Sequence, residues 1–118
     1  MDSSASQTAF ACEWADYLKQ HGHMVKKISG APDVVRSRNT RHRYRWIILL
    51  GRGSARRLTA AERGRLQRQR QLAKRQREKL YLVVKFERPQ QKVTVLPVEA
   101  ALKAGRIRSD RGGIPWDE

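Results

Sequence analysis

Acidic residues are nearly missing from the middle of this chain. From Arg36 to Lys79 only Glu62 and Glu78 are acidic, against sixteen Lys and Arg, so these 44 residues carry a formal charge of +14. The other 74 residues hold ten basic and nine acidic groups and are nearly neutral. A surface so short of acids cannot neutralise itself through pairs of mixed sign. It leaves a local positive field that attracts polyanions, of which nucleic acid is the commonest in a cell.

Other shortages narrow the field. Cys12 is the single cysteine, which excludes an internal disulfide and fits a reducing cytoplasm. His21 and His23 stand together but His42 is remote in sequence, so the three or four ligands of a tetrahedral zinc site are lacking. No apolar run approaches the ~18–20 residues of a membrane span. No basic segment followed by an apolar one opens the chain, so neither a membrane partner nor a secretory route is expected. Gly51-Arg52-Gly53-Ser54 lacks the GxxxxGK form of a phosphate loop and reads as a turn with basic decoration. There is no internal repeat, and no RNP aromatic pair, zinc finger or KH loop to read bases.

Enough apolar material remains for one small domain, at 39% hydrophobic over 118 residues. Phe10, Trp14, Tyr17 and Leu18 recur at helical spacing, which predicts a helix over Thr8 to His21 with Gly22 as its stop. His23 to Ile28 reads as a strand closed by the turn Ser29-Gly30-Ala31-Pro32, and Asp33-Val34-Val35 starts a second strand. Ser37 to His42 is a polar basic turn. Arg43 to Leu50, with its run Trp46-Ile47-Ile48-Leu49-Leu50, is a strand buried on both faces. Thr59-Ala60-Ala61-Glu62 has the capping-box pattern and opens a helix that runs to about Lys79, with a thin stripe of Leu66, Ala73 and Leu80 beside Leu72. Leu80 to Phe86 and Lys92 to Leu96 form a hairpin around Arg88-Pro89-Gln90-Gln91, and Pro97 to Leu102 is a short last helix. The tail from Gly105 is rich in Gly and Arg, with Ile114 and Trp116 able to fold back.

The resulting order, α-β-β-β-α-β-β-α, resembles the core of the PD-(D/E)XK nuclease superfamily, most of all the small archaeal-type Holliday junction resolvases. Glu13 to Leu18 with Gly22 resembles the family's first helix and its exit glycine. Val25 to Val35 resembles the strand and turn that deliver its metal-binding aspartate. Trp46 to Gly51 sits where the central catalytic strand belongs, and Tyr81 to Phe86 where the strand after the crossover helix belongs. The resemblance implies an α/β fold, a single-domain restriction-endonuclease-like mixed central sheet flanked by helices. Residues 8–103 make up this domain, 1–7 a disordered leader and 104–118 a C-terminal tail.

The family's chemistry gathers two or three carboxylates on a divalent metal that activates water, aided by a lysine on the same strand. Asp33 matches the family's aspartate. Glu13 is the candidate for the first-helix glutamate, two residues past the family's position, where Ala11 stands. The acidic-x-Lys pair falls on Leu49 and Gly51, or on Ile48 and Leu50 in another register, and neither supplies it. No acid occurs from Val34 to Ala61 and no lysine from Ile28 to Ala73. Arg52 imitates the charge of the lysine but stays protonated and cannot act as a base. Glu62 could join Asp33 in a displaced site, although the capping box already accounts for it.

No cofactor is therefore expected; Mg²⁺ or Mn²⁺ enters only if a displaced site at Asp33 works. The expected nucleic-acid contacts are Arg36, Arg38, Arg41, Arg43 and Arg45, the loop residues Arg52, Arg56 and Arg57, and the helix residues Arg63, Arg65, Arg68, Arg70, Lys74, Arg75 and Arg77. Even spacing places Arg41, Arg43 and Arg45 on one strand face. Arginine outnumbers lysine there, which suits forked contacts to phosphate. The first reading is a nucleic-acid-binding protein for duplex or branched DNA, possible as a homodimer, on a nuclease-like fold that has lost its acidic-x-Lys pair. The alternative is a metal-dependent endonuclease or resolvase with a displaced site. A third reading is a basic RNA-associated or protein-binding module.

Overall fold

The computed structural model describes residues 3–27, 33–53, 55–86 and 92–109. Its elements are α1 (Ser3–Gln20), β1 (Met24–Lys27), β2 (Val34–Arg38), β3 (Arg43–Gly51), β4 (Ala55–Arg57), α2 (Ala60–Gln76), β5 (Glu78–Phe86), β6 (Lys92–Pro97), α3 (Val98–Ala104) and β7 (Arg106–Arg108). Five strands form one mixed sheet in the order β1-β2-β3-β5-β6. Only the β3–β5 pair is parallel, as it must be when α2 carries the chain from the end of one strand back to the start of the next. The expected architecture, a mixed α/β sheet between helices, is the observed one.

Strand alternation sends two sets of side chains to opposite faces. On one face Phe10, Ala11, Trp14 and Leu18 of α1 pack on Val35, Trp46, Ile48, Val83 and Val95. Ser37 makes this layer's polar junction: its Oγ accepts from Trp46 Nε1 at 2.8 Å and lies 3.0 Å from His23 Nδ1. His23 is thus a core histidine, and burial, with His21 adding its charge, lowers its pKa. On the other face Leu66 of α2, Val98 and Ala101 of α3, and Ile107 cover Ile47, Leu49, Leu82, Val84 and Phe86. Gly51 ends β3 against this layer. A Cβ there would stand 2.7 Å from the Phe86 ring, so the close approach itself requires glycine.

Several boundaries differ from those expected. α1 begins at Ser3, within the expected leader, and Gln7 Nε2 donates to Ile48 O at 2.6 Å. The early turns of the helix are polar, so hydrophobic spacing does not reveal them. β2 runs on to Arg38, and the turn after it is tightened by Asn39, whose Oδ1 accepts from Arg41 N at 2.9 Å and His42 N at 2.7 Å. The start of the expected tail forms β7, antiparallel to β4, a pair too short to show periodicity. Leu72, in the expected apolar stripe, is exposed, whereas Leu66 and Ala73 are buried. The expected turn Ser29 to Pro32, the hairpin loop Arg88 to Gln91 and the segment with Ile114 and Trp116 lie outside the described residues.

β5 begins at Glu78, two residues earlier than Leu80, and the reason is electrostatic. Glu78 Oε1 accepts from Arg45 Nε at 2.8 Å and Oε2 from Arg36 Nε at 2.6 Å, with 2% of the carboxylate side chain exposed. Arg45 Nη1 also donates to Gln69 Oε1 of α2 at 2.7 Å. One buried carboxylate thus joins β2, β3 and β5. Replacing it leaves Arg45 buried without a counter-charge, so Glu78→Ala is expected to lose about 3–5 kcal/mol of stability in urea unfolding.

Candidate nucleic-acid interface

The structure divides the expected arginines into two groups. Arg45 is 5% exposed and committed to Glu78, so it is withdrawn from the expected interface. The strand face carrying Arg45 is covered by α2, which the spacing of the arginines does not reveal. Arg41 lies in the turn before β3, not on a strand face with Arg43 and Arg45.

Arg56 is also turned inward. Its Nε donates to Leu50 O at 2.6 Å, its Nη1 donates to Glu62 Oε1 at 2.7 Å, and its Nη2 contacts Glu62 Oε2. Glu62 completes the capping box: its N donates to Thr59 Oγ1 at 3.1 Å, and its Oε1 accepts from Thr59 N at 2.9 Å. Burial raises the pKa of Glu62, but hydrogen bonds from Arg56 and Thr59 and the charge of Arg56 outweigh it, so the carboxyl titrates below its ordinary range.

The second group stays at the surface. Arg63, Arg65, Arg68, Arg70, Lys74 and Arg75 of α2 are exposed, as are Arg38, Arg41, Arg43, Arg52, Arg57 and Arg77. Arg70 meets Glu99 at 2.7 Å, a solvated pair worth little. Arg68, Lys74, Arg75, Arg41 and Arg43 have no acidic partner among the described residues.

Two shallow grooves gather the cations of the strands and the β2–β3 turn, and the α2 residues from Arg63 to Arg75 line neither. One, on the open sheet face beside α2, is lined by Met24, Lys26, Arg36, Arg38 and Arg43. The other runs over the β2–β3 turn and is lined by Arg38, Arg41, His42, Arg43, Arg77 and Lys79. They share Arg38, Arg43 and Glu78, and Glu78 is already engaged by two arginines. Lys26 and Lys79 were not among the expected contacts; Lys26 lies outside the basic stretch, and only the β1–β2 pairing brings it to Arg36. Arg77 sits at the α2 C-cap with φ 55°, the left-handed conformation that a glycine usually fills.

Glu13 and Asp33, the two carboxylates that the resemblance matched, do not gather. Glu13 is exposed and meets Lys85 Nζ at 3.2 Å, whereas buried Asp33 accepts from Arg65 Nη2. Glu62 does line the same cleft as Asp33, with Ile47, Leu49, Arg65 and Leu66. Its oxygens are occupied by Arg56 and Thr59. The one open carboxylate oxygen in that cleft is Asp33 Oδ1, which has no hydrogen-bond partner among the described residues. A hard divalent cation takes about six oxygen ligands, and the strand side of the cleft offers only Ile47 and Leu49. These residues do not fit such an ion. No group of three or more His, Cys, Asp or Glu suited to a metal occurs among the described residues, and no helix among them is long and apolar enough to cross a membrane.

No protein-family model matches this chain, and no curated protein does. Among solved structures it is similar to Hjc, a Holliday junction resolvase from the archaeal hyperthermophile Archaeoglobus fulgidus, with a TM-score of 0.64 and 19% identity over 80% of this chain and 74% of that one. This chain therefore shares the fold of that protein.

Two outcomes follow from the cap residues. Arg77→Gly removes the left-handed strain and is expected to gain about 0.5–1 kcal/mol in urea unfolding. Glu62, with its pKa depressed by folding, stabilises above its unfolded pKa, and that contribution is lost as pH falls through the folded value. Acid unfolding followed by circular dichroism should therefore show a shallower loss of stability on the acid limb for Glu62→Gln than for the parent.

Proposed function

We propose that this chain binds nucleic acid, duplex or branched DNA ahead of RNA, by holding phosphates and following shape instead of reading bases. The observation that carries this is the continuous pair of grooves, lined by cations whose one acid is already consumed. Such a surface repels itself unless a polyanion offsets the charge. Base stacking has little to work with, since Tyr44 and Trp46 are buried. DNA is preferred over RNA because the fold is shared with a protein described as a Holliday junction resolvase. The absence of an acid or lysine at Leu49 and Gly51 supports binding without cleavage. A homodimer in the cytoplasm completes the reading.

The alternative, a metal-dependent endonuclease with a displaced site, would have to seat its ion in the one cleft that two carboxylates share, although the residues there do not fit it. Asp33 and Glu62 share a cleft, and Asp33 Oδ1 is without a hydrogen-bond partner among the described residues. A labelled four-way junction and a matched linear duplex, run on native and denaturing gels with and without Mn²⁺ or Mg²⁺, separate the two. A retarded, uncut junction supports binding; metal-dependent cleavage abolished by Asp33→Ala supports the nuclease. Equal affinity for DNA and RNA of the same form would remove the DNA preference.

The salt dependence of binding identifies the surface. Each phosphate contact contributes about 0.9 to the slope of log K against log salt on duplex DNA, so Arg38/Arg41/Arg43/Lys79→Ala, which strips four cations from the grooves, is expected to flatten that slope by about 3–4. An unchanged slope and affinity would show that the grooves are not the contact.

A further inference from the structure

We propose that Arg65, pinned by the buried carboxylate of Asp33, is a phosphate seat that works without metal. The inference rests on the nucleic-acid-binding reading and adds to it a residue pair in the cleft between α2 and β3, apart from the two grooves.

The two partners are unequally placed. The Asp33 side chain is 4% exposed and that of Arg65 56% exposed. The Asp33 carbonyl accepts from Ile48 N at 2.7 Å, which fastens the residue to β3. A guanidinium has five donors. The Asp33 carboxylate takes Nη2 of Arg65 and leaves other N–H groups in solvent, pointed by a partner that cannot move away. A long arginine otherwise loses rotamer freedom when it grips a phosphate; here part of that ordering precedes the ligand. The fork is planar and suited to two phosphate oxygens.

The neighbouring groups agree with this role. Glu62, one turn earlier on α2, is occupied by Arg56 and Thr59, so it does not compete for Arg65. Arg68, one turn later, has no acidic partner among the described residues and supplies net charge. The Asp33–Arg65 pair itself is neutral, so it contributes orientation and not attraction. That distinction gives the test a sign. If only summed charge mattered, removing Asp33's negative charge would tighten DNA binding. If Asp33 acts by holding Arg65, removing its charge weakens binding although the protein becomes more positive.

The experiment measures the affinity of the full chain for a labelled linear duplex by fluorescence anisotropy, in EDTA and in Mg²⁺ at matched ionic strength. The parent is expected to bind equally in both, within about twofold. Asp33→Asn and Arg65→Lys, the second keeping the charge but not the fork, are each expected to bind about tenfold more weakly. Thermal unfolding checks that each variant folds; Arg65 is surface-exposed, so Arg65→Lys carries the test if Asp33→Asn does not fold. Tighter binding by folded Asp33→Asn, or parental affinity for Arg65→Lys, overturns the seat and leaves the general binding reading intact. A tenfold gain from Mg²⁺ that Asp33→Asn abolishes overturns it in favour of a metal seat. A parent that binds no duplex in either buffer overturns the function proposed above, and the seat with it.

Discussion

The placement of Glu78 determines much of what surrounds it. Its carboxylate sits below the surface and must be reached by Arg45 from the adjacent strand and Arg36 from the strand beyond. That demand fixes where β5 can start. α2 must therefore stop at Gln76, and a single residue, Arg77, makes the reversal with a positive φ. Gln69 of the same helix accepts from Nη1 of Arg45, so the helix is tied to the sheet through a polar contact as well as through Leu66. Charge burial of this kind gives weak net stability but a strict geometry.

The same logic recurs at smaller scale. Glu62 is spent on Arg56 and on the start of α2, and Asp33 on Arg65. Both acids of the basic stretch, and Asp33 just before it, are used to position an arginine or a backbone end. What remains outward is cationic and shaped into grooves by the twist of β1, β2 and the following turn. The sheet that buries Trp46 and Phe86 thus also orders the positive surface. Core and interface share the β2 and β3 strands: Arg36, Arg38 and Arg43 at one end line a groove, and most of the rest of β3 is buried on both faces.

Much of this was legible in residue spacing. The helical recurrence of Phe10, Trp14 and Leu18, the apolar run of β3 and the two-sided capping box at Thr59 and Glu62 all correspond to structure, because each depends on neighbours within one or two turns. What spacing could not show was long-range. Arg45 meets Glu78 across 33 residues and Arg65 meets Asp33 across 32, and nothing local distinguishes an arginine with such a partner from one in water. The three-residue strands β4 and β7 gave no period to detect, and Ile107 between two arginines looked like part of a loose tail.

Gly51 also limits what this strand end can be made to carry. The resemblance places a lysine near this position, yet the Phe86 ring fills the space that any side chain there would enter. A mutation to lysine alone would collide with a core aromatic that is wholly buried. Mutating Phe86 first would open a hole beneath β3 with no immediate gain. Neither substitution alone fits the packed strand end, so a long side chain at this position requires both changes made together.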